Sequence, residues 1–86
     1  MPRISSFYGI VIAMYYREHG VPHFHALYGE YEASIAIESL EALRGYLPPR
    51  ALRLVKQWAY MHRGELLLNW NLAEQGKVLE SIAPLP

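Results

Sequence analysis

A cluster of three histidines is the feature of this chain that points most directly to chemistry. His19, His23 and His25 lie within seven residues, and His23 and His25 are two positions apart. In a β-strand, residues two apart point to the same face, so His23 and His25 would lie on one side of a sheet. Imidazoles in this arrangement suit a divalent-metal site, an acid/base pair or a hydrogen-bonded network that holds the fold.

A β-hairpin is the element that would position these histidines. Residues 23–28 have the composition of a strand, and residues 31–37 alternate between apolar and polar side chains. Between them, Gly29-Glu30 fits a two-residue turn, with glycine where the turn needs a positive φ. This register pairs Phe24 with Ile35 and predicts one core-facing set. That set is Phe24, Tyr28, Tyr31 and Ile35.

The opposite face of the hairpin gathers polar side chains, with His25 opposite Ser34 and Glu32 diagonal to His25. As a metal site, it would use imidazole and carboxylate ligands for a divalent transition metal. The candidate ligands are His19, His23, His25 and Glu32. As a metal-free acid/base site that cleaves RNA, it would use His23 and His25 with help from Glu32 and Arg17. In the third interpretation, the histidines only form hydrogen bonds that hold the hairpin. The sequence favours this interpretation, and with it a protein without a cofactor, over a metal site.

The remaining elements predict an α+β fold. Residues 10–16 are typical of a buried strand, and residues 38–48 form a connector with a helical turn or a fourth strand. Pro48-Pro49 begins a helix whose apolar stripe includes Trp58 and His62, Gly64 breaks it, and a second helix over residues 65–75 ends at Gly76. We expect an antiparallel sheet of three to four strands, packed against two C-terminal helices, in a single domain over residues 1–86.

Composition narrows the function classes. The chain is 52% hydrophobic and 19% charged with a formal net charge of zero, and it contains no cysteine. Disulfides, zinc–cysteine sites and thiol nucleophiles are therefore excluded. The apolar runs are too short to span a membrane, and the N-terminus lacks the apolar core of a signal peptide, which predicts a cytoplasmic protein without a membrane partner.

The first predicted helix carries a basic stripe. Residues 44–86 hold six basic and three acidic side chains, whereas residues 1–43 hold two basic and five acidic ones. The stripe consists of Arg50, Arg53, Lys56 and Arg63, with Tyr60 among them. Such a face could follow a nucleic-acid backbone while Tyr60 stacks on a base. The alternative, which the zero net charge favours, is an ordinary solvated helix face.

Several stretches between Ile4 and Leu85 carry a family resemblance. They are Ile-Ser-Ser-Phe-Tyr-Gly-Ile-Val-Ile at 4–12, Pro-His-Phe-His at 22–25, Tyr-Glu-Ala-Ser-Ile at 31–35, Ala-Leu-Arg-Leu-Val at 51–55 and Leu-Leu-Leu-Asn-Trp at 66–70. On these, the chain resembles a small bacterial family of domains of unknown function, DUF4160. The resemblance implies one half of a two-gene, toxin–antitoxin-like or regulatory module, and it implies no activity.

Three functions therefore stay open. The first is a protein that binds a small partner protein from an adjacent gene, with RNA or DNA as a further partner and homo-oligomerisation as an option. The second is a small enzyme, either a histidine-based ribonuclease or a metal-dependent hydrolase that uses His23 and His25. The third is a purely structural interaction module.

Overall fold

The computed structural model describes residues 2–86, which form a five-stranded antiparallel sheet followed by two helices. The strands are β1 (Arg3–Phe7), β2 (Ile10–Ala13), β3 (His23–Tyr28), β4 (Tyr31–Ala36) and β5 (Ala42–Tyr46); the helices are α1 (Pro49–Met61) and α2 (Arg63–Glu74). The strands lie in the sheet in the order in which they occur along the chain. The α+β class is confirmed, with five strands where the sequence predicted three to four.

The β3–β4 hairpin has the predicted register. Phe24 pairs with Ile35 and His25 with Ser34, around a turn in which Gly29 has a φ of 58°. Phe24 and Ile35 are fully buried, so the inward face of the hairpin is the one expected. Tyr31 is the exception: its side chain is 40% exposed and its ring lies 5.8 Å from that of Tyr46. The prediction that Tyr31 faces the core is therefore wrong, because beside the turn its ring contacts the exposed Tyr46 and lies outside the core.

The two outer strands differ from the sequence expectations. β1 was not predicted, because only Ile4 and Phe7 of its five residues are buried. β5 resolves the connector in favour of a strand, and all of its residues are exposed. Gly45 allows β5 to approach β4, because a Cβ at that position would lie 2.1 Å from the carbonyl oxygen of Glu32.

The helices begin and end close to the predicted positions. α1 begins at Pro49, and its residues Ala51, Val55 and Trp58 are buried. The break between the helices lies at His62, where φ is −126°, and not at Gly64, which belongs to the first turn of α2. Gly76 follows α2 with a φ of 70°, as a helix-ending glycine should.

Trp58 lies at the centre of the core. Its ring centroid is 5.4 Å from that of Phe7 and 6.0 Å from that of Phe24, so α1 packs on the inward face of the sheet. Its indole N–H donates to the carbonyl oxygen of Ala83 at 2.8 Å, and Ile82 N–H donates to the carbonyl oxygen of Ile4. The C-terminal segment is thereby held against β1. Within residues 2–86, no helix has the length and apolarity needed to cross a bilayer.

Candidate metal centre

Two histidines and one glutamate converge on the face of the sheet that lies away from the core. Nε2 of His25 is 2.7 Å from Oε1 of Glu18, and Nε2 of His23 is 3.1 Å from the same oxygen. The three ligand-type atoms lie within 4.8 Å of one another. Both histidines are buried, with 8% and 7% of their surface exposed, although they project from the outward face.

The second ring nitrogen of each histidine, Nδ1, also has polar neighbours that orient the ring. Nδ1 of His23 is 2.7 Å from the carbonyl oxygen of Val21, and because a carbonyl only accepts, this nitrogen carries a proton. Nδ1 of His25 lies 3.4 Å from Oε2 of Glu32 and 3.5 Å from Oγ of Ser34. Each Nε2 thereby faces Glu18, and a far ring nitrogen held by a carbonyl or carboxylate oxygen is typical of metal-ligating histidines.

Tyr15 covers the cluster from one side. Its ring centroid is 4.3 Å from that of His25. Burial raises the pKa of the Tyr15 phenol, and the carboxylates of Glu32 and Glu18 raise it further. The phenol is therefore neutral near pH 7, so it adds no negative charge to the site.

Contacts distant in sequence place the loop that carries Glu18. This loop connects β2 to β3, and Arg17 within it adopts a φ of 54°. The Arg17 N–H donates to the carbonyl oxygen of Ala73 in α2 at 3.3 Å, so the loop is tied to a helix more than fifty residues away. On the same side, the ring of Trp70 lies 5.1 Å from that of His23. The end of α2 thus supports both the loop and the histidine.

The cluster opens into a cleft of about 440 Å³. The cleft is lined by Glu18, His19, Gly20, Val21, His23, His25, Ser34, Leu43 and Arg44. Structural zinc sites are usually closed by four protein ligands, whereas catalytic sites have three and leave a position for water or substrate. Three convergent ligand atoms beside a cleft match the second pattern.

The residues predicted for the site fall into three groups. His23 and His25 are central, and Glu32 contacts His25 Nδ1 without joining the convergent ligand atoms. His19 lines the cleft but, in the described part of the chain, is outside the convergent group. Arg17 is exposed and its guanidinium lies beside Gly76, away from the cleft.

Glu18 is the site residue that the sequence interpretation missed. It lies five residues before His23, in a loop that contains Gly20 and Pro22. A carboxylate beside a histidine-rich turn was the available signal, because such a turn can return the chain onto the following strand. The sequence pointed to Glu32 instead of Glu18, because the register of a strand can be derived from sequence whereas the conformation of a loop cannot.

The basic stripe predicted on the first helix is divided between the two helices, because Arg63 lies in α2. The Arg63 guanidinium donates to the carbonyl oxygens of Ile37 and Glu38, so this side chain secures the end of β4 to the helices. Arg50, Arg53 and Tyr60 are exposed, and Lys56 is half-buried. Within residues 2–86, no carboxylate lies within 4.0 Å of the charged groups of Arg50, Arg53 or Lys56.

Fold and site together define a small α+β protein with a two-histidine, one-glutamate cluster beside an open cleft. The chain belongs to the DUF4160 family, described as a domain of unknown function, whose model matches residues 9–71. The matched region contains Glu18, His23 and His25, and also Arg44 of the cleft. Searches of curated proteins and of solved structures gave no significant match.

Proposed function

We propose that this protein is a metal-dependent hydrolase whose divalent transition-metal ion is held by Glu18, His23 and His25. One observation carries the proposal: Nε2 of His23, Nε2 of His25 and a carboxylate oxygen of Glu18 lie within 4.8 Å of one another, while Nδ1 of His23 is held by the carbonyl oxygen of Val21. Nε2 of His23 lies 3.1 Å from that oxygen of Glu18, so one imidazole and the carboxylate already face each other. The second imidazole, 2.7 Å from the same oxygen, completes a ligand set for a cation.

The dimensions of the cluster suit a metal ion. A tetrahedral zinc ion with bonds of about 2.0–2.2 Å separates neighbouring ligand atoms by about 3.3 Å. The present separations of 2.7 and 3.1 Å would need to widen by only about half an ångström. The exposed fraction of the Glu18 side chain is 28%, so its carboxylate has room to rotate.

Hydrolysis is the reaction class that this arrangement supports best. A divalent ion with free coordination positions lowers the pKa of a bound water and polarises a substrate oxygen. Water is the only co-reactant required, and the open cleft admits it. Glu32 acts as a positioning residue, because its carboxylate lies at the far nitrogen of His25 and orients that ring.

The direct test is turnover by tag-free protein with and without metal. We expect metal-free protein to hydrolyse neither bis(p-nitrophenyl) phosphate nor p-nitrophenyl acetate, and zinc or manganese to restore turnover of at least one of them. Glu18→Gln should lower the metal-dependent kcat/KM by about 100-fold or more. His62→Ala is the matched control, because His62 pairs with Glu65 outside the cleft. Turnover that survives chelation would favour metal-free acid/base catalysis by His23 and His25.

A second candidate function is binding of a small partner protein, as in a two-gene toxin–antitoxin-like or regulatory module. The observation that favours it is the asymmetry of the sheet edges. The C-terminal segment lies against β1, whereas β5 is exposed throughout and carries Leu43 and Tyr46 at 49% and 59% exposure. An open edge with apolar side chains is a template for strand addition by a partner.

Nucleic acid is a further proposed partner, through the basic side chains of α1. If Arg50, Arg53 and Lys56 contact phosphates, the logarithm of the binding constant should fall with the logarithm of salt concentration by about 0.9 per phosphate neutralised on duplex DNA. Fluorescence anisotropy with labelled RNA and DNA measures this slope. The double variant Arg53→Glu/Lys56→Glu should abolish binding. Binding that is absent at low salt would assign the stripe to an ordinary solvated face.

A further inference from the structure

Arg44 lies in the same cross-strand row as His25. His25 is directly opposite Ser34 in the β3–β4 pair, and Ser34 is directly opposite Arg44 in the β4–β5 pair. Directly opposite residues of antiparallel strands project from the same face. Arg44 and the two histidines therefore lie on one face of the sheet, and all three residues line the cleft.

The spacing leaves room for a ligand between them. Adjacent strands are about 4.8 Å apart, so β5 lies about 10 Å from β3. An extended arginine side chain is long enough to span part of such a gap, and Ser34 lies in the middle of the row. Within residues 2–86, no carboxylate lies within 4.0 Å of the Arg44 guanidinium, so its donors are not engaged by an ion pair.

We propose that the cleft binds an oxyanion, the phosphoryl or carboxylate group of a substrate, between the Arg44 guanidinium and the metal ion. This inference rests on the proposed function, because the metal supplies the second positive group. A guanidinium binds either oxyanion through two parallel N–H donors, which fixes its orientation as well as its position. Leu43 adds an apolar wall to the cleft, which suits a hydrocarbon substituent beside the charged group.

The test uses two probes of similar shape, phenylphosphonate and benzoate, titrated calorimetrically into zinc-loaded, tag-free protein. Arg44→Met keeps an unbranched, although shorter, side chain and removes its charge. It should weaken binding of the preferred probe by about tenfold or more, because a charge-assisted hydrogen bond is lost. The affinity for zinc, titrated separately, should change less than twofold. Arg53→Met, an exposed arginine of α1 outside the cleft, is the control and should change neither affinity.

The outcomes separate the two proposals. Preference for phenylphosphonate or for benzoate, lost in Arg44→Met, supports the inference and assigns the oxyanion class. Zinc binding with no affinity for either probe, or with an affinity that Arg44→Met leaves unchanged, overturns the inference and leaves the metal site standing. Failure to bind zinc at all overturns both. Circular dichroism checks that the variants are folded, which is expected because Arg44 is exposed on an edge strand.

Discussion

Replacing Glu18 with glutamine, or His25 with alanine, is expected to weaken zinc binding by about 100-fold or more. Loss of a residue that only orients a ligand already costs about 10- to 100-fold in metal affinity, so loss of a ligand atom should cost at least that. In Glu18→Gln the loss follows from the carboxylate charge, since the amide has nearly the same size. In His25→Ala, the whole ring that lies 2.7 Å from Glu18 is removed.

Competition calorimetry on tag-free protein measures these affinities, and it also measures proton release in buffers of different ionisation enthalpy. Because metal ligands must be deprotonated, zinc should displace protons from the cluster, and its apparent affinity should fall as the pH is lowered. His62→Ala is the control, since His62 and Glu65 form a two-residue pair whose loss should leave the affinity within twofold. Equal zinc affinities in the parent and in both ligand variants would contradict the assignment.

Leu43→Glu and Tyr46→Glu are expected to weaken the proposed complex with a small partner protein by about 100-fold, which corresponds to about 2.7 kcal/mol. Both side chains lie on the open edge strand, and each charge would have to be desolvated against an added strand. Light scattering and calorimetry on this protein with the proposed partner protein give the stoichiometry and the affinity.

Leu68→Glu provides the matched control for that experiment. Leu68 is 51% exposed on α2, so its substitution places the same charge on a surface outside the sheet edge. Complex formation that resists both β5 variants, or that Leu68→Glu disrupts equally, would move the interface elsewhere. Self-association that both β5 variants abolish would instead identify β5 as the contact between two copies of this chain.

The hairpin could be predicted from sequence because its determinants are local. Gly29 supplies the turn, and the alternation after it sets the face on which each residue lies, so His25 opposite Ser34 follows from counting residues. The same counting overestimated burial at Tyr31, because alternation gives the face and not the distance from the centre of the core. β1 escaped prediction because Ser5 and Ser6 interrupt its apolar pattern.

The site was only half predictable, since its third member depends on long-range contacts. Glu18 reaches the two histidines because of the conformation of the loop before β3. In this loop, Arg17 has a left-handed backbone conformation, and its N–H donates to the carbonyl oxygen of Ala73. Neither feature has a local sequence signal. Arg44 was hidden for a related reason: its row with His25 exists only because the connector forms β5 in register with β4.

The most direct test of the metal centre is anomalous diffraction at the zinc absorption edge from crystals grown with zinc. We expect an anomalous peak about 2.0–2.2 Å from Nε2 of His23, Nε2 of His25 and a carboxylate oxygen of Glu18, on the side of the cluster that opens to the cleft. A protein that crystallises with zinc present and shows no peak at this cluster, or binds zinc only at surface residues such as His62 and Glu65, would contradict the metal assignment.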